Sequence, residues 1–387
     1  MDKWNMVKLS DVFTLQMGKT PSRNNPDYWN GNHKWLSIAD FGMNGKYINK
    51  TKECITDAAV AESGIKATPH NTVVMSFKLS IGKTAITVKD IFTNEAIMSF
   101  IDKGTYPIDV NYIYHLFSGK DWSKGTNKAV MGTTLNKATL SQITIPLPPI
   151  ESQYQIADNL EKVSKLIDIC NTILNKLDIL VKSRFVEMFG DPIINPHNWS
   201  KVPLGELAEI KIGPFGSLLH KEDYINNGHA LVNPSHIKED KIIVDNSLTV
   251  SDEKYAELSA YHLHKNDVVL GRRGEMGRCA VVNDDGLLCG TGSIIIRTNG
   301  VLESDYIQKI ISFPSFIKSI EDMAVGQTMP NLNVPIVSKF LIICPPMDVQ
   351  KEYYSFVEQT DKSKLAVKQI LEKAETLKKS LLQEYFG

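Results

Sequence analysis

Residues 151–189 contain neither glycine nor proline. As one helix rising 1.5 Å per residue, such a run reaches roughly 60 Å, several times the three turns of an average globular helix, and it predicts a strut rather than part of a single core. Leu160, Val163, Ile167, Cys170, Leu174, Leu177 and Val181 alternate by threes and fours, the spacing of a heptad seam, and Leu166, Ile173 and Leu180 run beside it and widen the stripe. A seam this long needs an equally long partner. Residues 347–386 supply it. They too lack glycine and proline, follow a proline pair (Pro345-Pro346, as Pro148-Pro149 precedes the first run) and end in Phe-Gly. Gln153 recurs as Gln350, Ser183 as Ser380 and Phe189 as Phe386, so the chain is internally duplicated at a constant offset.

The segments between the helices are copies as well. Trp4-Asn5-Met6-Val7-Lys8-Leu9 opens one body and Trp199-Ser200-Lys201-Val202-Pro203-Leu204 the other. Each continues into a turn-rich stretch, Met17 to Arg23 and Ile212 to Ser217. Two short apolar runs joined through a glycine-containing loop then read as a hairpin: residues 73–78 with 81–86, and 268–273 with 276–281. Short helices are expected around Asn111–Leu116 and Asp305–Ile311, and each body closes on a strand that enters its proline pair. Gly190, just ahead of Pro192, fits a helix stop. The fold class is α+β: two mainly β domains (1–150 and 191–346) separated by a pair of long antiparallel helices (151–190 and 347–387), a coiled coil with pseudo-twofold symmetry and an elongated outline.

Composition narrows the function. Of the residues, 42% are hydrophobic and 22% charged, as in ordinary soluble proteins, and no apolar run approaches the ~18 residues of a membrane span, so a cytoplasmic protein that meets no membrane is expected. The net charge of −1 implies that any nucleic-acid surface is local. Five scattered cysteines, without a Cys-x-x-Cys, point to neither disulfides nor zinc. Gly18-Lys19-Thr20 and Gly82-Lys83-Thr84 resemble phosphate loops, but Phe13 and Phe77 stand where the first glycine must be. Leu147 and Cys344 precede the proline pairs where an amino-methyltransferase needs Asn or Asp. His262 and His264 lack companions for a metal. No catalytic residue, metal or cofactor is assigned to the chain.

The order of segments resembles the specificity subunit of Type I restriction-modification systems. The motifs that carry the likeness are Pro148 to Gln153, Glu187-Met188-Phe189-Gly190-Asp191-Pro192, Trp199 to Glu206, Gly213-Pro214-Phe215-Gly216-Ser217, the Gly271–Gly277 loop and Gly326-Gln327-Thr328. The resemblance covers the whole chain. It implies two target-recognition domains, each reading half of a bipartite, asymmetric site in double-stranded DNA. It further implies helices that set the spacing and bind two modification subunits, which carry S-adenosylmethionine and the adenine chemistry, and restriction subunits that add ATP-dependent cleavage. The alternative is a scaffold that bridges protein partners through its helical pair.

Within that reading the hairpin loops are the first candidates for DNA contact. Arg272, Arg273 and Arg278 lie between glycines in the second body, and arginine pairs bidentately with guanine or binds phosphate. Lys78, Ser80 and Lys83 are the less basic equivalents in the first. Against this stands the reading of solvated loop charges paired with nearby acids. The early loops are second candidates, with Lys19, Ser22 and Arg23 in one body and Ser217 and Lys221 in the other. Gln327, Thr328 and Asn331 can reach base edges or cap the segment entering the last strand.

Overall fold

A computed structural model describes residues 4–78, 80–122, 135–215, 218–324 and 331–387. The chain divides into two compact units, Met1–Ile173 with Ala366–Gly387, and Leu174–Leu365, so the division falls inside each long helix. The helices span Ile150–Phe189 and Met347–Phe386. Among the described residues no helix is long and apolar enough to cross a membrane.

In the first unit the strand Asn5–Lys8 pairs antiparallel with Thr144–Leu147, which ties the start of the body to the strand that feeds the proline pair. A five-stranded sheet has the order Phe13–Met17, Ile97–Asp102, Val73–Ser76, Thr84–Thr87, Tyr47–Ile48. Beside it stand Glu53–Ile55, Trp29–Leu36 and Phe92–Thr93, the last two parallel. The helix Val110–Gly119 starts where the Asp109 side chain accepts from the backbone N–H of Asn111 and Tyr112, an N-cap that satisfies two otherwise orphaned donors. Its Tyr112, Ile113, Leu116 and Phe117, spaced for one face, pack with Phe13 and Phe100 of the sheet and with Ile156, Ala157 and Leu160 of the long helix.

The second unit repeats the plan. Ser200–Pro203 pairs with Leu341–Cys344, and four strands follow the same order: Ala208–Ile212, Ser293–Thr298, Val268–Gly271, Cys279–Val281. The parallel pair recurs as His229–Val232 with Leu287–Cys289. The helix Ser304–Ile311 fills the place of Val110–Gly119, and Phe185, Phe189, Tyr306, Phe340 and Tyr353 meet in its core.

Each long helix begins with the same buried amide. Gln153 Nε2 donates to the Pro148 carbonyl at 2.8 Å and Gln350 Nε2 to the Pro345 carbonyl at 2.9 Å. The tyrosines match too: the Tyr112 hydroxyl donates to Pro146 O (2.8 Å) and the Tyr306 hydroxyl to Ile343 O (3.0 Å). In the first unit Phe386 closes edge-on against Tyr112, with centroids 5.6 Å apart; in the second, Phe189 does so against Tyr306 at 5.0 Å. Helix contacts run antiparallel within the second unit, where Arg184 meets Glu352 at 2.7 Å and Asp178 meets Lys364 at 2.8 Å. In the first unit the Asn159 amide donates to the Tyr385 hydroxyl at 3.4 Å.

The heptad positions Leu160 and Cys170 are buried and the remainder of that line is half-buried, but Leu166, Ile173 and Leu180 do not widen the buried stripe. They stay 40%, 38% and 47% exposed, because they lie one position off the line that faces the partner helix. Gly190 ends the first helix in the left-handed region (φ +76°), and a Cβ there would overlap the Pro196 ring.

Candidate nucleic-acid interface

Both hairpins expected from the sequence are present, and they are equivalent. Val73–Ser76 pairs antiparallel with Thr84–Thr87, and Val268–Gly271 with Cys279–Val281. Just past the first strand the backbone N–H of Phe77 donates to Ala96 O, and that of Arg272 to Gly292 O, each at 3.0 Å. Phe77 O accepts from Leu135 N and Arg272 O from Leu332 N. Arg272 therefore occupies the slot that buried Phe77 fills in the first unit, and Arg273 stands where Lys78 does.

The chain has six arginines, at positions 23, 184, 272, 273, 278 and 297. Four meet a carboxylate: Arg23 meets Glu53, Arg184 meets Glu187 and Glu352, Arg278 meets Glu275, and Arg297 meets Asp267. Arg272 and Arg273 have no acidic partner among the described residues. Arg272 is half-buried, and its pKa is pushed down by that burial and then by the adjacent Arg273 charge. A guanidinium partly withdrawn from water without a counter-charge is costly unless a partner arrives from outside. Arg273 is exposed and Gly274 beside it turns through φ +83°. Met276, 3% exposed, anchors the far side of the loop in the core.

The other candidates sort differently. Arg278 donates to Pro234 O (3.2 Å) as well as to Glu275, so it braces the loop instead of facing outward. In the first hairpin Lys78 and Lys83 find no acidic partner among the described residues, and Ser80 is exposed with its carbonyl accepting from the Ser76 hydroxyl. Ser76 also accepts from Lys83 N at 3.1 Å, which shapes the tip. Arg23 is bidentate to Glu53 and lies 3.8 Å over the Trp29 ring; this contact holds the Glu53 carboxyl below its usual range. Its charge is thus cancelled internally. Lys19 Nζ donates to Ser63 O, and the exposed Ser22 accepts through its carbonyl from Trp29 Nε1 at 3.1 Å. Gly18 and Gly213 answer to packing: a Cβ on the first would overlap the carbonyls of Thr93 and Asn94, and on the second that of Gly290. Lys221 is exposed at the start of a short 3-10 turn, next to Glu222 and Asp223. Ser217, Gln327 and Thr328 lie outside the described residues.

Asn331 does not cap the segment ahead of the last strand. Asn333 does, accepting from Ile336 N at 3.0 Å, while Asn331 Oδ1 accepts from Arg272 Nε at 3.1 Å. Nothing in the sequence links positions 272 and 331; their pairing forms only in the folded unit. Among the described residues no group of three or more His, Cys, Asp or Glu could hold a metal.

The structure thus holds two repeats of one β body on long helices, each with a cationic hairpin tip. The chain matches the family model of the Type I restriction modification DNA specificity domain twice, over residues 1–178 and 196–376, and belongs to that family. It is 23% identical over 376 residues to the Type I restriction enzyme MjaIX specificity subunit of Methanocaldococcus jannaschii, covering 92% of this chain and 86% of that one. Over 178 residues it is 26% identical to the EcoprrI specificity subunit of Escherichia coli (45% and 42% covered). Among solved structures it superposes on a chain from work on assembly and conformational transition of the type I R-M system (TM-score 0.67, 15% identity, 100% and 98% covered). It also superposes on the S subunit from M. genitalium (TM-score 0.54, 14% identity, 99% and 96% covered). These likenesses establish the fold.

Proposed function

We propose that the chain selects the DNA target of a Type I restriction-modification complex and performs no chemistry itself. Each unit reads one half-site, the second through Arg272 and Arg273, the first through Lys78, Lys83 and Ser80. Because the two tips differ in chemistry, the half-sites differ and the whole target is asymmetric. The observation that carries the reading is the adjacent pair Arg272 and Arg273, which alone among the six arginines meet no acid among the described residues and stand at the tip equivalent to Lys78.

The long helices serve as spacer and as docking surface. Ile173 and Leu180 on the first recur as Ile370 and Leu377 on the second, and all four are exposed, 38% to 49%. Apolar positions kept exposed in both copies fit two like partners. Those partners are modification subunits carrying S-adenosylmethionine, joined by restriction subunits, acting on DNA in the cytoplasm. The test is binding of the full chain to random duplexes across a salt series. Affinity that falls steeply with salt and is weakened by Arg273→Ala supports the reading; binding indifferent to both overturns it and leaves a protein scaffold.

A further inference from the structure

We infer that Asn331 is a positioning residue for base recognition: it fixes which edge of the Arg272 guanidinium faces the DNA. The inference rests on the reading of Arg272 as a base contact. Guanidinium carries one Nε donor and four Nη donors in a rigid plane. Asn331 Oδ1 takes the Nε donor at 3.1 Å, so rotation about the last side-chain bonds is arrested and the outer Nη1/Nη2 edge is left to make two parallel hydrogen bonds. That edge matches the O6/N7 pair of guanine.

The backbone on both sides is clamped as well. Arg272 N donates to Gly292 O at 3.0 Å, Leu332 N donates to Arg272 O at 2.9 Å, and Arg273 and Asn331 form an isolated antiparallel bridge. Asn333 caps the helix Val334–Val337, which fixes the segment 331–333 from its other side. An asparagine is suited to this place where an aspartate is not. Its amide oxygen orients the guanidinium without cancelling the charge, whereas the Arg23–Glu53 pair does both.

The experiment uses the full chain and a pool of random duplexes, with base preference at each position read by sequencing the bound DNA. Arg272→Ala is expected to abolish preference at one position of one half-site. Asn331→Ala and the isosteric Asn331→Asp, whose carboxylate pairs with Arg272, are expected to weaken preference at that same position by about fivefold to a hundredfold, while affinity for unrelated duplex changes little. The double variant Arg272→Ala/Asn331→Ala should be no worse than Arg272→Ala alone. If Arg272→Ala removes one preference and neither Asn331 variant alters it, the positioning role is wrong and the base contact stands. If Arg272→Ala leaves every preference intact, both fall. An even loss across all positions in Asn331→Asp, with a lowered melting temperature, assigns Asn331 to the fold alone and overturns the inference.

Discussion

At the scale of single residues, function divides the charged groups by whether the fold has already provided a partner. Arg278 looks like Arg272 in the sequence, yet its guanidinium is spent on Glu275 and Pro234. Arg278→Ala should therefore lower stability by about 1 kcal/mol and leave base preferences unchanged, as melting and binding selections would show. Arg272→Ala should weaken specific binding by about 1 to 3 kcal/mol and relax one position. The loop cluster was legible in the sequence because glycine and arginine alternate there. The cancellation of Arg23 was not, since Glu53 lies thirty positions away and only the approach of two β segments brings it near. His115 offers a test by pH. Burial, with Lys46 next and Lys378 further opposing Glu161, pushes its pKa down to about 4. The unfolded chain thus binds a proton below about pH 6.5 that the folded chain refuses, and stability should fall as pH drops from there toward 4. Replacing His115 by phenylalanine should flatten that part of a melting-temperature profile.

Among the elements, the long helices were read most completely. The second spans Met347–Phe386 as its lack of glycine and proline implied, and the first begins one residue earlier than expected, at Ile150. Local signals end these helices, which is why sequence locates them. Which apolar residues face inward depends on the partner, so Leu166, Ile173 and Leu180, expected to widen the stripe beside the seam, stay exposed instead. The parallel strand pairs, such as Trp35 beside Phe92, leave no local trace at all. The matched glutamines allow a comparison of like with like. Gln153 also accepts from Asp109 N (2.9 Å) and donates to Pro107 O (3.1 Å), whereas the Gln350 amide oxygen is buried with no hydrogen-bond partner. Gln153→Leu should cost about 1 to 3 kcal/mol per orphaned group, and Gln350→Leu distinctly less, by chemical denaturation. Gly190→Ala should cost about 1 to 2 kcal/mol or more, since a left-handed φ and the overlap with Pro196 act together.

For the molecule as a whole, duplication predicts that the parts can be exchanged. Replacing residues 200–344 with the same segment of another family member should change one half of the recognised target and leave the other intact, which mapping of methylated bases would reveal. Charging Ile370 and Leu377 together (Ile370→Glu, Leu377→Glu) should abolish co-purification of modification subunits while the chain still binds DNA. The pairing of Phe386 with Tyr112 has an outcome in time as well as in space. Unit 1 includes residues 366–387, so the body synthesised first receives its final packing partners only after Leu174–Leu365, the whole of the other unit, has been made. The amino-terminal unit should complete its packing last, and a chain ended after Leu365 should keep its second unit folded and protease-resistant while its first stays open to cleavage.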